Sequence, residues 1–309
     1  MQTAQAFSSV QWALSWLIDN FPKLAEWRAS TDRVVHLHVA LTDLEESSEA
    51  PDDARIVVHP ATESDKLIMR ELGVARPDGE MLVAEAEVEI SRPERVLIRG
   101  QSGSGKSTIM RAVAGVWPWG RGAIHLPTGA ITFMPQKPYF PLGTLRDVML
   151  YPAEPEEGIS DDVLKDMLHK VGLDHLRDRL DETERWDHIL TGGEQQRVAF
   201  ARVLVHKPEW IFMDEATSAL DEAGQENVMK LLIEELPESS VVSIGHRPGL
   251  EVFHTRELTL EPGADGTKLR AGDGKRSLGD LYRKMAAVSR DAPRDPGFWA
   301  NVRANLLGR

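Results

Sequence analysis

The sequence predicts an α/β fold built on an open, mostly parallel sheet. Three observations carry that expectation. Short apolar runs at 95–98, 130–134, 210–213 and 241–244 alternate with longer stretches of helical periodicity. The later runs end in polar side chains, Gln136, Asp214-Glu215 and His246, as expected where a ligand lies beyond the carboxyl ends of sheet strands. A glycine-rich loop, residues 100–108, joins the first run to a helical segment.

That loop reads Gly-Gln-Ser-Gly-Ser-Gly-Lys-Ser-Thr and fits G-x-x-x-x-G-K-[ST], with Gly100 and Gly105 in the glycine positions. Gln101, Ser102, Gly103 and Ser104 lie between them, and Thr108 closes the run. Small residues let backbone N–H groups wrap phosphate oxygens at touching distance. Lys106 would reach the β- and γ-phosphates, and the Ser107 hydroxyl would hold Mg²⁺. The following helix would aim its N-terminal dipole at the same phosphates.

Length and composition bound the rest. At 309 residues the chain has room for about two domains, and 41% hydrophobic residues suffice for a core. There are no cysteines, which excludes disulfides and thiolate metal sites. A net charge of −13 disfavours a nucleic-acid partner, whose binding leaves a basic footprint. No signal-peptide pattern opens the chain, and no stretch approaches the ~20 apolar residues of a spanning helix.

Taken in order, residues 1–33 carry an amphipathic helical pattern. Phe7, Val10, Leu14, Leu17, Ile18, Phe21 and Leu24 fall on one face, and Pro22 is expected to kink or end its first half. Two readings fit: a helix docked on the core, or the cytoplasmic end of a membrane-domain helix. Residues 34–65 read as an acidic linker around one possible strand near 55–59. From residue 66 to 90, short alternating segments broken by Arg76-Pro-Asp-Gly79 predict an antiparallel β-subdomain. Residues 160–190 turn helical, and a second helix is expected over 194–206. A capping box at Ser277 and Asp280 opens a predicted C-terminal helix within a tail spanning 273–309.

Four features add chemistry to the loop. Asp214 ends an apolar strand, where a phosphate-loop enzyme holds its metal, and Glu215 follows as a possible base for an attacking water. An acidic pair there is also a common helix cap; the loop in the same chain favours the chemical reading. Gln136 and His246 also end strands of the expected sheet. Finally, Leu190-Thr-Gly-Gly-Glu-Gln-Gln-Arg197 opens a helix on two glycines, a second anion site. One triphosphate rarely needs two such sites from one chain, so a two-fold dimer is the economical explanation.

On these residues the chain resembles the ATP-binding cassette family. Residues 100–108 resemble the Walker A motif, Gln136 the Q-loop glutamine and residues 190–196 the signature motif. Residues 210–215 resemble Walker B with its glutamate, Ser218-Ala-Leu-Asp221 the D-loop and His246 the switch histidine. All six stand in the family's order. Trp117-Pro-x-Gly-x-Gly, Pro135-Gln-x-Pro-Tyr-x-Pro-Leu-Gly-Thr-Leu-Arg146, Tyr151-Pro152 and Trp186-x-x-x-Leu are similar to one branch. It holds SbmA/BacA-like and YddA-like bacterial half-transporters and the peroxisomal fatty-acyl transporters. Residues 7–33 resemble the end of that branch's last membrane helix.

The resemblance implies a P-loop nucleotide hydrolase fold of the RecA-like kind. It would span residues 66–272, with an antiparallel β-subdomain and an α-helical signature subdomain over about 137–207. It implies an ATPase subunit of a transporter, cut or split just before the cassette, at the cytoplasmic face of a bacterial inner membrane. ATP and Mg²⁺ would be held by residues 100–108 of one copy and by Thr191, Gly192, Gly193, Glu194 and Asp221 of a second. Glu215, His246 and Gln136 would be catalytic, with Ser107, Gln136 and Asp214 around the metal. The partners would be a second cassette and a membrane domain, with no nucleic acid. An alternative is a soluble cassette ATPase that remodels a macromolecule in translation or DNA repair; a nucleotide-binding regulator without turnover is a third reading. Three departures stand out. No aromatic residue lies near Arg76, where the family stacks adenine, so Arg76 is expected to stack on the base or base contact to be loose. Thr191 replaces the signature serine. No membrane domain is present.

Overall fold

The computed structural model describes residues 2–49, 55–60, 64–152, 158–272 and 279–281; side chains at 2–6, 9, 13, 14, 17 and 46–49 lie outside the description. Ser277 and the predicted tail beyond residue 281 therefore fall outside it, with residues 279–281 helical. The chain divides into two units, residues 1–51 and 52–309.

The first unit is one helix, α1 (Gln2–Glu49), of 48 residues. It corrects one expectation and narrows another. Of the two outcomes expected at Pro22, an end to the helix is excluded: the residue sits inside it, because a proline removes one backbone donor while the ladder on either side persists. The helix also runs through residues 34–49, assigned above to an acidic linker. Leucine, alanine and glutamate are strong helix formers, so an acidic run there is as good a helix surface as a solvated loop. Phe7, Trp12, Trp16, Phe21 and Trp27 are exposed. No described helix is long and apolar enough to cross a membrane.

The second unit is organised by a ten-stranded sheet. Its parallel part runs β6 (Ile131–Met134), β9 (Trp210–Asp214), β10 (Ser240–Ile244), β4 (Arg95–Gly100) and β11 (Arg256–Gly263). β12 (Gly266–Ala271) returns antiparallel to β11 and pairs parallel with β3 (Met81–Ser91). Beyond it, β2 (Lys66–Ala75) lies antiparallel between β3 and β5 (Gly120–His125). β1 (Val57–His59) closes that edge parallel to β5, so the possible strand read near 55–59 is a strand in the sheet.

The apolar runs are continuous because both sheet faces are covered. Along β4, Leu97 packs into one hydrophobic cluster while Val96 and Ile98 pack into the other. β9 alternates the same way: Ile211 and Met213 point to the first, Trp210 and Phe212 to the second. Each such fully buried side chain contributes roughly 1.5–3 kcal/mol.

The helices are α2 (Lys106–Val113), α3 (Leu145–Leu150), α4 (Asp161–Lys170), α5 (Trp186–Ile189), α6 (Gly192–His206) and α7 (Glu222–Glu235). Two-residue strands β7 (Gly143–Thr144) and β8 (Thr183–Glu184) pair within the helical region. Arg95, fully buried at the start of β4, donates to Leu232 O at 2.9 Å and Leu236 O at 2.8 Å. It thereby satisfies carbonyls left over at the end of α7 and ties that helix to the central strand.

Parallel register sets the site. Ile244 pairs with Ile98 on one side and with Asp214 on the other, and Met213 pairs with Met134. The carboxyl ends of β4, β10, β9 and β6 thus lie side by side, and each leads directly into a residue named above.

Behind this edge, His254 is buried. Its Nδ1–H donates to Leu250 O at 2.7 Å, and its Nε2 accepts from the Ser243 hydroxyl at 2.7 Å. Burial, first of all, lowers its pKa from 6.5 to about 4. The unfolded chain therefore takes up the proton first as pH falls, so stability is full above pH 6.5 and is lost through the window down to about 4. Denaturant unfolding at pH 7 and pH 5 is expected to show about 2 kcal/mol less stability at the lower pH from this group. His254→Asn should flatten that dependence; an unchanged slope would clear His254 of the role.

Candidate functional site

The loop between β4 and α2 turns back on itself through left-handed backbone. Gly105 has φ +94°, and a Cβ there would stand 2.7 Å from Val83 Cγ2, so only glycine fits. Lys106 opens α2 and is 5% exposed. Its Nζ donates to Gly100 O at 2.9 Å and Gln101 O at 2.6 Å, which places the ammonium at the mouth of the loop. Burial pushes its pKa below the ordinary lysine value, and the Glu215 and Asp214 carboxylates pull in the other direction. The result is a desolvated cation facing two carboxylates, an arrangement found at ligand sites.

Ser107 follows and donates through Oγ to Asp214 Oδ1 at 2.9 Å, across 107 positions of sequence. Both are hard oxygen donors of the kind that hold Mg²⁺ alongside phosphate oxygens and water. Among the described residues no group of three or more histidines, cysteines or acidic residues forms a metal cage. A cation here would depend on a phosphate ligand for the rest of its shell.

Glu215 turns out of β9 with φ +50°, a left-handed conformation that costs a non-glycine residue of order 1–3 kcal/mol. Its N–H is anchored on Ile244 O at 3.0 Å. Gln136 Nε2 donates to its Oε2 at 3.1 Å, and His246 Nε2 stands 3.3 Å from its Oε1. The three strand-end residues therefore meet around one carboxylate.

A pocket of about 440 Å³ collects Ser102, Gly103, Gly105, Lys106, Ser107, Thr108, Glu215 and His246 of the sequence-named residues, with Arg76 at its far side. Asp214 and Gln136 reach it through Ser107 and Glu215. Thr191, Gly192, Gly193 and Glu194 are not among its lining residues. They form the start of α6, where Thr191 and Glu194 make a reciprocal capping box, with Thr191 N–H donating to Glu194 Oε2 at 2.9 Å. Asp221 likewise accepts from Gly224 N–H at 2.9 Å and caps α7.

Two residues to which the sequence reading gave no individual role join the parts. Gln196 is buried, donates to Gln136 O at 3.1 Å and Ser218 Oγ at 3.2 Å, and accepts from Ala219 N–H at 2.9 Å. Arg247, next to His246, donates to Thr217 O at 3.0 Å and also to Leu220 O. The segments after β6 and β9 are thus linked to α6, and the segment after β10 is linked to that after β9. Gln196 ends the signature stretch and Arg247 follows His246, yet a lone glutamine or arginine carries no contact pattern of its own. Trp117, Pro77 and Leu82 also line the pocket; the sequence reading placed Trp117 in a branch-specific motif and gave it no role in the site.

Residues 83–218 match the model of the ABC transporter family. An uncharacterized ABC transporter ATP-binding protein of Haemophilus influenzae is 33% identical over 267 residues, covering 84% of this chain and 42% of its own length. The inner membrane ABC transporter ATP-binding protein YddA of Escherichia coli K12 is 33% identical, covering 81% of this chain and 42% of its own. ATP-binding cassette sub-family D member 3 of Homo sapiens is 41% identical over 48% of this chain and 24% of its own length. The chain thus spans less than half of each of these relatives. A bacterial Atm1-family ABC exporter with ATP bound has the same fold, with a TM-score of 0.59 and 24% identity over 80% of this chain and 46% of its own.

Proposed function

We propose that this chain, which carries an ATP-binding domain of the ABC transporter family, is the ATPase subunit of such a transporter and hydrolyses MgATP in a head-to-tail dimer. The observation that carries the reading is the convergence of Lys106, the Ser107–Asp214 pair and Glu215 with Gln136 and His246 on one pocket. Backbone N–H groups of residues 100–108 and the Lys106 ammonium would hold the triphosphate. Ser107 and Asp214 would hold Mg²⁺, which supplies charge neutralisation on the phosphates. Glu215 would accept the proton of the attacking water, with Gln136 and His246 fixing the carboxylate's orientation.

The dimer follows from the position of the second anion site. The N-terminus of α6 carries exposed Thr191 and Gly192 and lies outside the pocket lining of its own chain. A two-fold arrangement would let each α6 complete the other copy's phosphate site. The similarity to YddA, an inner membrane ABC transporter ATP-binding protein, supports a place at an inner membrane; a partner membrane domain, the cytoplasmic face and residues 7–33 as the end of a last membrane helix are further parts of the same proposal. Phosphate release from purified protein tests the chemistry. Release should saturate with ATP, rise more steeply than linearly with protein concentration, and stop on adding a metal chelator. Release indifferent to the chelator would remove Mg²⁺ from the mechanism, and failure to bind ATP would remove the function.

A further inference from the structure

The pocket lining is of two chemical kinds. One is the phosphate loop with its backbone donors and Lys106. The other is Arg76, Pro77 and Trp117, with Leu82 set against Gly105 of the loop. Arg76 is paired with Glu80, so its charge is partly met within its own turn. What remains on that side is apolar and aromatic surface, suited to a flat heteroaromatic ring and not to another phosphate.

Trp117 is built to hold its plane. Its indole N–H donates to Ala75 O at 2.9 Å, which ties it to the end of β2 just before Arg76. Trp119 packs edge-on against it, with ring centroids 4.9 Å apart and planes at 71°. Arg111, one turn into α2 from the phosphate loop, places its guanidinium 5.9 Å from the ring centroid. With the N–H already used and Arg111 over one face, the indole has its other face and its edge to offer a ligand. Half-buried and fixed at two points, it loses little side-chain freedom on binding.

We infer that Trp117, reaching the pocket from the segment after α2, is the aromatic platform for the nucleobase, with Pro77 and the Arg76 guanidinium completing the cradle. It takes the place of the aromatic residue missing beside Arg76. The ligand class is a purine nucleoside triphosphate. Stacking on a π surface reads ring size and not the pattern of base-edge donors, so ATP and GTP bind alike and pyrimidine triphosphates bind less well.

The inference rests on the phosphate reading of residues 100–108, and the test separates the two. Wild type, Trp117→Leu and Trp117→Phe are titrated with ATP, GTP, CTP and inorganic tripolyphosphate, each with Mg²⁺. The leucine variant should lose ~10-fold in ATP and GTP affinity while tripolyphosphate binding stays within ~2-fold, and the phenylalanine variant should keep most of the ATP affinity. Wild type should bind ATP and GTP within ~3-fold of each other and CTP more weakly. Equal losses for ATP and tripolyphosphate in the leucine variant would make Trp117 a structural residue and overturn the inference, as would unchanged ATP affinity. Wild type that binds tripolyphosphate no better than Lys106→Ala would remove the phosphate reading and this one with it.

Discussion

Glu215→Gln is expected to bind ATP with near wild-type affinity and to lose at least ~100-fold in phosphate release, since a positioned base contributes about 10²–10⁴-fold. The substitution is nearly isosteric. The amide oxygen still accepts from Gln136 Nε2, now 3.1 Å from the carboxylate. On the other side, His246 Nε2 faces a carboxylate oxygen at 3.3 Å; an amide N–H there can donate to the neutral ring nitrogen without moving the ring. The left-handed backbone at this position is kept as well. What disappears is the proton acceptor. Because ATP then stays bound, a nucleotide-dependent dimer should accumulate and be seen as a doubled mass in solution. Phosphate release near the wild-type rate would show that Glu215 is not the base.

Lys106→Ala is expected to weaken ATP and tripolyphosphate binding by ~100-fold, the scale of losing one or two charge-assisted hydrogen bonds. The lysine is 5% exposed, and its ammonium is held at 2.9 and 2.6 Å by the Gly100 and Gln101 carbonyls. It is therefore already desolvated and aimed before any ligand arrives, so little is lost in ordering it. Alanine is a good helix former, and α2 should start as before from Gly105. The two variants separate by step: one binds without turning over, the other fails to bind. Nucleotide titration distinguishes them, and wild-type affinity in Lys106→Ala would detach the lysine from the phosphates.

Much of the site was legible because its chemistry is local in sequence. Residues 100–108 would meet one ligand group through consecutive backbone positions, and a strand and a helix flank them. Thr191 to Glu194 were readable for the same reason: two glycines, a capping threonine and an acid at its third following position specify a helix start whatever surrounds it. Residues 34–49 were misread because acidic composition fits a solvated loop and a solvated helix equally well. Trp117 was underused because its partner, Ala75, is 42 positions away and no spacing rule connects them.

The sequence by itself determined that the chain has a phosphate loop, a carboxylate pair at a strand end and a second helix opening on glycines, since each needs only neighbouring residues of the right size and charge. Tertiary structure alone decided which of these meet. The register of Ile244 against Ile98 and Asp214 brings Ser107, Asp214, Glu215 and His246 to one edge, because parallel strands in register must end together. The antiparallel packing of β2 on β5 and the Trp117–Ala75 hydrogen bond leave Trp117 beside Arg76, in a pocket that the α6 start does not line. Distance in sequence carries no information about that packing; the hydrogen-bond ladders that close the sheet create it.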